Sequence, residues 1–369
     1  MRLAPKGHRE RRSGSGLRRC LPPNDIAQAE WRRFAPGELC PYTPPMTHAP
    51  HRFSVAPMID WTDRFCRFFH RQMTRRALLY TEMITAEAIL NGDRDHLLAY
   101  DHGGPTALQL GGSDPAKMAE AARIGAAYGY QEINMNVGCP SDRVQSGRFG
   151  ACLMAEPELV RDCLIAMREA TFLPVTAKCR IGIDDQAPEV ILPRFIEHVR
   201  EAGIDTVIVH ARKAWLQGLS PKENRTIPPL DYDIVFRMKE RFGDMNVILN
   251  GGVASPQEGF AHLPKVDGVM LGRAAYERPA ILREVDGLFF GDRREVPSVE
   301  DVVAAVVAKA EADGTPLWRY ARHMLGLFAG RPGARRWRRR ISEEARDAEP
   351  SLLLRIVREE GLAQEPEPA

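Results

Sequence analysis

The chain has 369 residues, 44% of them hydrophobic, and a formal net charge of +2. No run of about 18 apolar residues offers a membrane span. Seven cysteines, odd in number and without Cys-x-x-Cys spacing or a nearby His pair, argue against a disulfide framework and a zinc site, and are read as free thiols of a cytoplasmic protein.

Residues 1–45 contain "KGHRERRSGSGLRR" and "CPYTPPMTHAP", rich in Arg, Gly, Ser and Pro without a periodic apolar face. The composition predicts a disordered basic, Pro-rich extension over 1–50. It lacks the apolar stretch of a secretory signal; an Arg-rich transit segment and a natural start at Met46 are the two readings of it.

From Phe53 onward, short β-branched runs alternate with amphipathic helical stretches. The expected strands are "RFSVAP", "LLYTEM", "TALQLGG", "EINMNV", "PVTAKCR", "TVIVHA", "NVILNGG" and "GVMLGR". Between them lie helices such as "DPAKMAEAARIGAAYGY", capped by Asp114 with Pro115 in its first turn, and "APEVILPRFIEHVREAG", ending at Gly203. This rhythm predicts an α/β fold, a (β/α)8 TIM barrel over 51–291, with a doubly wound open sheet as its competitor. The strands end on Asp60, Glu82, Gln109, Asn136, Lys178 with Arg180, His210, Asn250, and Gly272 with Arg273. In a barrel these converge on one rim; in an open sheet they would be strung along a crevice. After Gly291 the pattern is helical only: "VEDVVAAVVAKAEA", "LWRYARHMLGLFAG", "ARRWRRRISEEARD" and "PSLLLRIVREE". A smaller all-helical domain is expected over 292–358, then a disordered tail, 359–369.

The chemistry sits at the strand ends. "NGG" (250–252) and "LGR" (271–273) each precede a helix, where glycines and helix N-termini suit a phosphate; two turn glycines are the plainer alternative. Lys178 and Arg180 share one side of the fifth strand, and two inward cations call for an anion or an electron-rich ligand such as a flavin. An interior ion pair of Lys178 with Glu82 is the alternative, as a structural role is for His210. Cys139 lies in "NVGCPSDRV", where Gly138 and Pro140 shape a loop that presents the thiol, mostly protonated at neutral pH and able to act as a general acid. A covalent nucleophile and an inert thiol are the rival roles; Cys20, Cys40, Cys66, Cys152, Cys163 and Cys179 are read as inert. A phosphate site, a flavin-suited Lys and an acid together suit reduction of an activated C=C bond. The C5=C6 bond of uracil qualifies, with hydride at C6, the Cys139 proton at C5, and Asn136 and Arg180 holding the base.

These residues carry a resemblance. "APMIDWTD", "LLYTEM", "ALQLGG", "NVGCPSDRVQSGRFGACLM", "AKCRIGIDD", "HARKAWLQGLSPKENRTIPPLDY", "NGG", "DGVMLGR" and "RHMLGLFAGRPGARRWRR" resemble the tRNA-dihydrouridine synthases, A-type subfamily, in order and spacing from Phe53 to Ser342. The resemblance implies an FMN-binding barrel and a helical tRNA-binding domain. It implies reduction of uridine at positions 20 and 20a of the tRNA D-loop, with NADPH as electron donor. It puts the proton donor at Cys139 and the flavin contacts at Pro57, Met58, Ile59, Gln109, Lys178, His210, Asn250, Gly251, Gly252, Gly272 and Arg273. The tRNA contacts fall on Asn136, Arg180, Lys213, Arg225 and Arg322. Neither a metal, a membrane nor an obligate protein partner is expected, and a monomer is. Cys179 departs from the pattern but should face away from the site, and the stretch from 347 onward lies beyond the resemblance. "RPGARRWRRR" (331–340) suits phosphate contacts, with Trp337 for stacking, against a helix face neutralised by "SEEARDAE". Two rival functions are an FMN-dependent reductase of a free pyrimidine and a non-catalytic RNA-binding barrel.

Overall fold

The structure, a computed structural model, describes residues 49–101, 103–141 and 147–363. Most of the expected N-terminal extension, with Cys20 and Cys40, and residues 364–369 of the expected tail lie outside the described residues.

Eight strands form the centre: β1 (Phe53–Val55), β2 (Leu78–Thr85), β3 (Thr106–Gly111), β4 (Glu132–Val137), β5 (Val175–Arg180), β6 (Thr206–His210), β7 (Asn246–Asn250) and β8 (Gly268–Leu271). Each pairs in parallel with the next, and β8 closes on β1 through Phe53↔Val269 and Val55↔Leu271. The closed parallel barrel expected from the sequence is the one observed, and the open sheet is excluded. The helices after successive strands are α1 (Arg64–Arg71), α2 (Ala86–Asn91), α3 (Arg94–Leu97), α4 (Pro115–Ala126), α5 (Pro157–Ala170), α6 (Pro188–Glu201), α7 (Tyr232–Arg241), α8 (Pro256–His262), α9 (Arg273–Glu277) and α10 (Val285–Phe290).

Alternation along the strands explains the layering. In β5, Val175, Ala177 and Cys179 join the apolar layer under the helices, so Thr176, Lys178 and Arg180 point inward. Ile208, Ile248 and Met270, with Leu78, Tyr80 and Ala107, fill the barrel's own interior. Each of the Ile, Leu and Met side chains among them contributes roughly 1.5–3 kcal/mol on removal from water. Caps set the helix starts: the Asp114 carboxylate accepts from the N–H groups of Ala116 and Lys117 at 3.0 and 3.2 Å, with Pro115 opening α4. Helix α6 ends at Glu201, and Gly203 follows in the left-handed region with φ 74°. One break in the ladder matters for the rim. The β2–β3 register shifts between Tyr80 and Met83, and the Thr81 hydroxyl accepts the Gln109 N–H at 3.0 Å.

Four helices follow the barrel: α11 (Val299–Asp313), α12 (Trp318–Ala321), α13 (Ala334–Glu344) and α14 (Leu352–Glu359). Ser298 and Asp301 form a reciprocal capping box at the start of α11. The stretch 317–330, expected as one helix, is α12 followed by three-residue turns, with N–H to C=O bonds from Met324 to Ala321, Leu327 to Met324 and Ala329 to Gly326. The reason is contact with the barrel. A Cβ on Gly326 would lie 2.1 Å from the Glu277 carbonyl oxygen, so the backbone itself packs there and cannot carry a helix's sheath of side chains. Leu362, expected within the tail, is buried, and its carbonyl accepts from Arg331 at 3.0 Å.

Candidate active site

The C-terminal ends of the strands open into a cleft of about 1160 Å³. Its wall includes Pro57, Met58, Ile59, Gln109, Asn136, Cys139, Lys178, Arg180, His210, Asn250, Gly251, Gly252, Gly272, Arg273 and Arg225. Register explains the convergence. Asn136 stands opposite Lys178, Arg180 opposite His210, and His210 opposite Asn250 across β4 to β7. Of the expected site residues, Lys213 and Arg322 stand outside this wall. Lys213 donates to the Gln186 carbonyl at 3.2 Å and lies over the Trp215 ring. Arg322, half-buried, is bound to the Asp63 carboxylate.

Cys139 is partly exposed to the cleft. Its loop is held from β4: the Asn136 side-chain oxygen accepts from the N–H groups of Gly138 and Cys139 at 3.1 and 2.9 Å. The amide of Asn136 donates to Gln109 Oε1 at 2.7 Å, and Gln109 donates onward to Asn134 at 2.8 Å. The Cys139 carbonyl accepts from the Ala151 N–H at 2.9 Å, and its thiol lies 3.5 Å from the Ser141 hydroxyl. Residues 142–146 of the same motif lie outside the described residues.

Arg180 fastens the rim. Its Nε donates to the Gly138 carbonyl at 2.9 Å, and its Nη1 to the carbonyls of Lys213 and Asn224 at 3.0 and 2.9 Å. One guanidinium therefore ties the cysteine loop to the long loop after β6. Sequence reading missed Asn224, which is fully buried and stitches that loop: its side chain bonds the Trp215 N–H and C=O at 2.7 and 2.9 Å. A loop Asn in "SPKENR" carries no periodic signal, so only the closed geometry reveals it.

Around Lys178 the charged neighbours are cations, although Asp60, Asp63, Glu82 and Glu277 also line the cleft. Burial, then the neighbouring Arg180, lowers the Lys178 ammonium to about 8. Burial, then the surrounding Arg180 and Lys178, drives the His210 imidazole well below its ordinary value, so it is neutral. Burial lowers Arg180 to about 10. The expected alternative, a Lys178–Glu82 pair, is not formed. Glu82 accepts instead from the Asp60 N–H, and the groups acting on Lys178 are Arg180, Arg225 and the Cys179 and Cys139 thiols. Cys179 itself is in the outer apolar layer, its thiol pushed by burial up to about 12. His210 Nδ1 is buried without a hydrogen-bond partner among the described residues.

The glycines shape the opposite wall. Gly251 and Gly252 have φ 106° and 76°, which L side chains rarely adopt. A Cβ on Gly251 would meet His210 Cε1 at 3.1 Å. Gly272 caps α9 and lines the cleft, its added Cβ meeting only Ala56 at 3.9 Å.

On the basic helix α13 the arginines divide. Arg336 is bound to Glu360, and Arg340 to Glu344 and Glu359, whereas Arg335, Arg338 and Arg339 are exposed without an ion pair among the described residues. The stacking expected of Trp337 is ruled out. The indole is fully buried, edge-on to Phe328, and its Nε1 donates to the Met324 carbonyl at 2.8 Å.

The sequence matches known proteins along most of its length. The profile of the dihydrouridine synthase family (Dus) matches residues 54–361, and so takes in most of the stretch from 347 that sequence reading had left outside. The tRNA-dihydrouridine(20/20a) synthase of Vibrio parahaemolyticus is 53% identical over 304 residues, 81% of this chain and 93% of its own. The protein of the same name from Escherichia coli K12 is 53% identical over 305 residues, covering 82% and 88%. The Vibrio cholerae protein of that name is 51% identical over 325 residues, covering 87% and 98%. A family match over most of a closed barrel, with relatives this similar along nearly their whole length, makes the chain a member of the dihydrouridine synthase family.

Proposed function

We propose that this chain reduces uridine to 5,6-dihydrouridine at positions 20 and 20a of the tRNA D-loop, with FMN as bound cofactor and NADPH as electron donor. The observation that carries the reading is the meeting of Cys139 with the cation cluster Lys178, Arg180 and Arg225 in one cleft. Lys178, Arg180 and Arg225 form no ion pair with a carboxylate among the described residues, and the neutral His210 offers an unused ring nitrogen. Buried cations so placed suit an anionic group, and a flavin mononucleotide brings a phosphate and a ring that gains negative charge on reduction. Lys178 and His210 would hold the ring side. The backbone of Gly251, Gly252 and Gly272, with Arg273 at the α9 terminus, would hold the phosphate. Pro57, Met58, Ile59, Gln109 and Asn250 would complete that contact surface.

When bound, FMN reduced by NADPH supplies a hydride for C6 of the uracil. The chain supplies the rest. Arg180 and Asn136 hold the rim in shape, and Arg180 polarises the base carbonyls so that charge can build on the C4 oxygen. The Cys139 thiol gives its proton to C5, completing the C–H bond there as the C5=C6 double bond is lost. The resulting thiolate lies near Lys178 and Arg180, which stabilise it until solvent returns a proton. Lys213, Arg225 and Arg322 are assigned to the tRNA side, Arg322 through its hold on Asp63. A cytoplasmic monomer fits this work, and among the described residues no helix is long and apolar enough to cross a membrane.

The purified protein tests this directly. It should be yellow, bleach with NADPH, and regain colour when unmodified tRNA is added, with dihydrouridine appearing at 20 and 20a. Colour restored by free uridine and not by tRNA would establish the small-molecule reductase instead. A colourless protein that binds tRNA would leave only the binding barrel.

A further inference from the structure

The reaction described above leaves Trp61 without a role, yet its setting is specific. It lines the cleft that holds Cys139, in the turn after β1, where its N–H donates to the Met58 carbonyl at 3.1 Å. The indole is only partly buried, and it stacks on Tyr276, with centroids 4.3 Å apart and planes 12° from parallel. Tyr276 is fastened from behind. Its hydroxyl lies 3.1 Å from His323 Nδ1, and His323 Nε2 lies 3.0 Å from Asp63 Oδ1, off the line of a good hydrogen bond. The second Asp63 oxygen binds Arg322. The ring pair is therefore fixed from three places: the β1–α1 turn, helix α9, and the segment after α12. Two exposed guanidinium groups border the same wall, Arg64 and Arg319, 4.7 and 5.8 Å from the Phe65 ring centroid.

A braced aromatic ring with part of its surface open can take a further flat partner on that surface. Here the ring at the cleft wall stays partly open while the one behind it is locked. We propose that Trp61, braced by Tyr276, stacks an unpaired nucleobase of the D-loop that neighbours the uridine being reduced, with Arg64 and Arg319 meeting the adjoining phosphates. This deepens the reading of the chain as a tRNA reductase and rests on it. A uridine drawn out of its stack into the cleft leaves the next base without a partner. A flat ring offers that base a face whatever its identity, and a ring already braced loses little freedom when the base arrives.

The test compares Trp61→Phe, which can still stack, with Trp61→Leu, which fills similar space and cannot. Both are assayed as flavin-loaded protein by Kd for a tRNA transcript at fixed salt and by KM and kcat for dihydrouridine formation. Trp61→Leu should raise Kd and KM about tenfold, within the range for loss of one base–aromatic stack, with kcat at saturating tRNA changed far less. Trp61→Phe should recover most of the loss. Tyr276→Leu, which removes the brace and keeps the indole, should give a smaller rise in Kd, and it reports even if Trp61→Leu fails to retain flavin. Equal Kd for the Phe and Leu variants, or a Tyr276→Leu variant that binds tRNA as wild type does, overturns the platform. Absence of dihydrouridine with the wild-type chain would instead sink the reductase reading, so the two failures are distinguishable.

Discussion

At the floor of the barrel, Glu132 accepts hydrogen bonds from the hydroxyls of Tyr80 and Thr176, both at 2.6 Å, and His51 Nε2 lies 2.9 Å from its second oxygen. At the rim, Lys178 and Arg180 of β5 crowd together with His210 of β6, and none of them pairs with a carboxylate among the described residues. Both clusters are buried and polar, and both came from inward-facing positions. The floor is closed in charge: the Glu132 carboxylate is met by three partners inside the protein, although His51 Nδ1 is left without a hydrogen-bond partner among the described residues, and such a set fixes structure. The rim is open in charge even though Arg180 is hydrogen-bonded to three carbonyls, an arrangement that costs stability until an anionic ligand completes it. Burial of polar groups alone does not mark a functional site; what marks it is the missing counter-charge.

Removing the rim's acid should give the largest effect. Cys139→Ala is expected to keep its flavin and to lose roughly 10²–10⁴-fold in kcat for dihydrouridine formation, the usual worth of a positioned general acid. Cys179→Ala, one layer out in the apolar wall, should stay near wild type in kcat. Turnover of Cys139→Ala within twofold of wild type would end the proton-donor assignment.

The floor should answer differently. Glu132→Leu strands His51, Tyr80 and Thr176 without their acceptor and should destabilise the fold by about 3 kcal/mol, seen as a lower urea midpoint. The binding of tRNA by the fraction still folded should change little. If tRNA affinity fell while the midpoint held, the floor and the rim would not be separable into a structural and a functional end.

How much of this was legible from sequence follows from the same contrast. Strand periodicity and the polar strand ends gave the barrel and the converging rim, because both are local: alternation along β5 alone puts Lys178 and Arg180 inward and Cys179 outward. Pairings between distant segments were not legible. Nothing local in "HMLGLFAG" says that Gly326 rests on the Glu277 backbone, or that Trp337, flanked by arginines, points into the core. Asn136 was assigned to the tRNA by resemblance, and in the fold its amide is taken up by Gln109 and the cysteine loop. Arg322 and Asp63 are 259 positions apart, and their pairing follows only from the closed fold.

That pair yields a pH test of the junction between barrel and C-terminal helices. Burial alone would raise the Asp63 carboxyl, but His323, the Cys66 N–H and Arg322 overcome it and hold it at about 2, below the ordinary 3.8. A depressed carboxyl contributes stability above its unfolded value that is lost as pH falls through its folded one. The contribution is about 2 kcal/mol, intact at about pH 5 and fading from 3.8 towards 2. Asp63→Asn should lack it, so the stability gap between wild type and variant should narrow over that window in urea titrations. A gap that stays constant with pH would mean Asp63 is not held ionised by these partners.

The smallest expected effect carries the closed-versus-open contrast to the surface. On α13, Arg336 and Arg340 already have glutamate partners, while Arg335, Arg338 and Arg339 have none among the described residues. An arginine with a partner must give up that carboxylate to meet a phosphate, so it releases little net counterion charge on binding. Arg335→Ala should therefore flatten the dependence of log K for tRNA on log salt by about 0.7–0.9, and Arg336→Ala by clearly less, although the two residues are adjacent. Equal slopes for the two variants would show that tRNA pulls Arg336 away from Glu360, and that closure within the protein does not predict which surface charges bind RNA. A slope unmoved by either would take α13 out of the tRNA contact altogether.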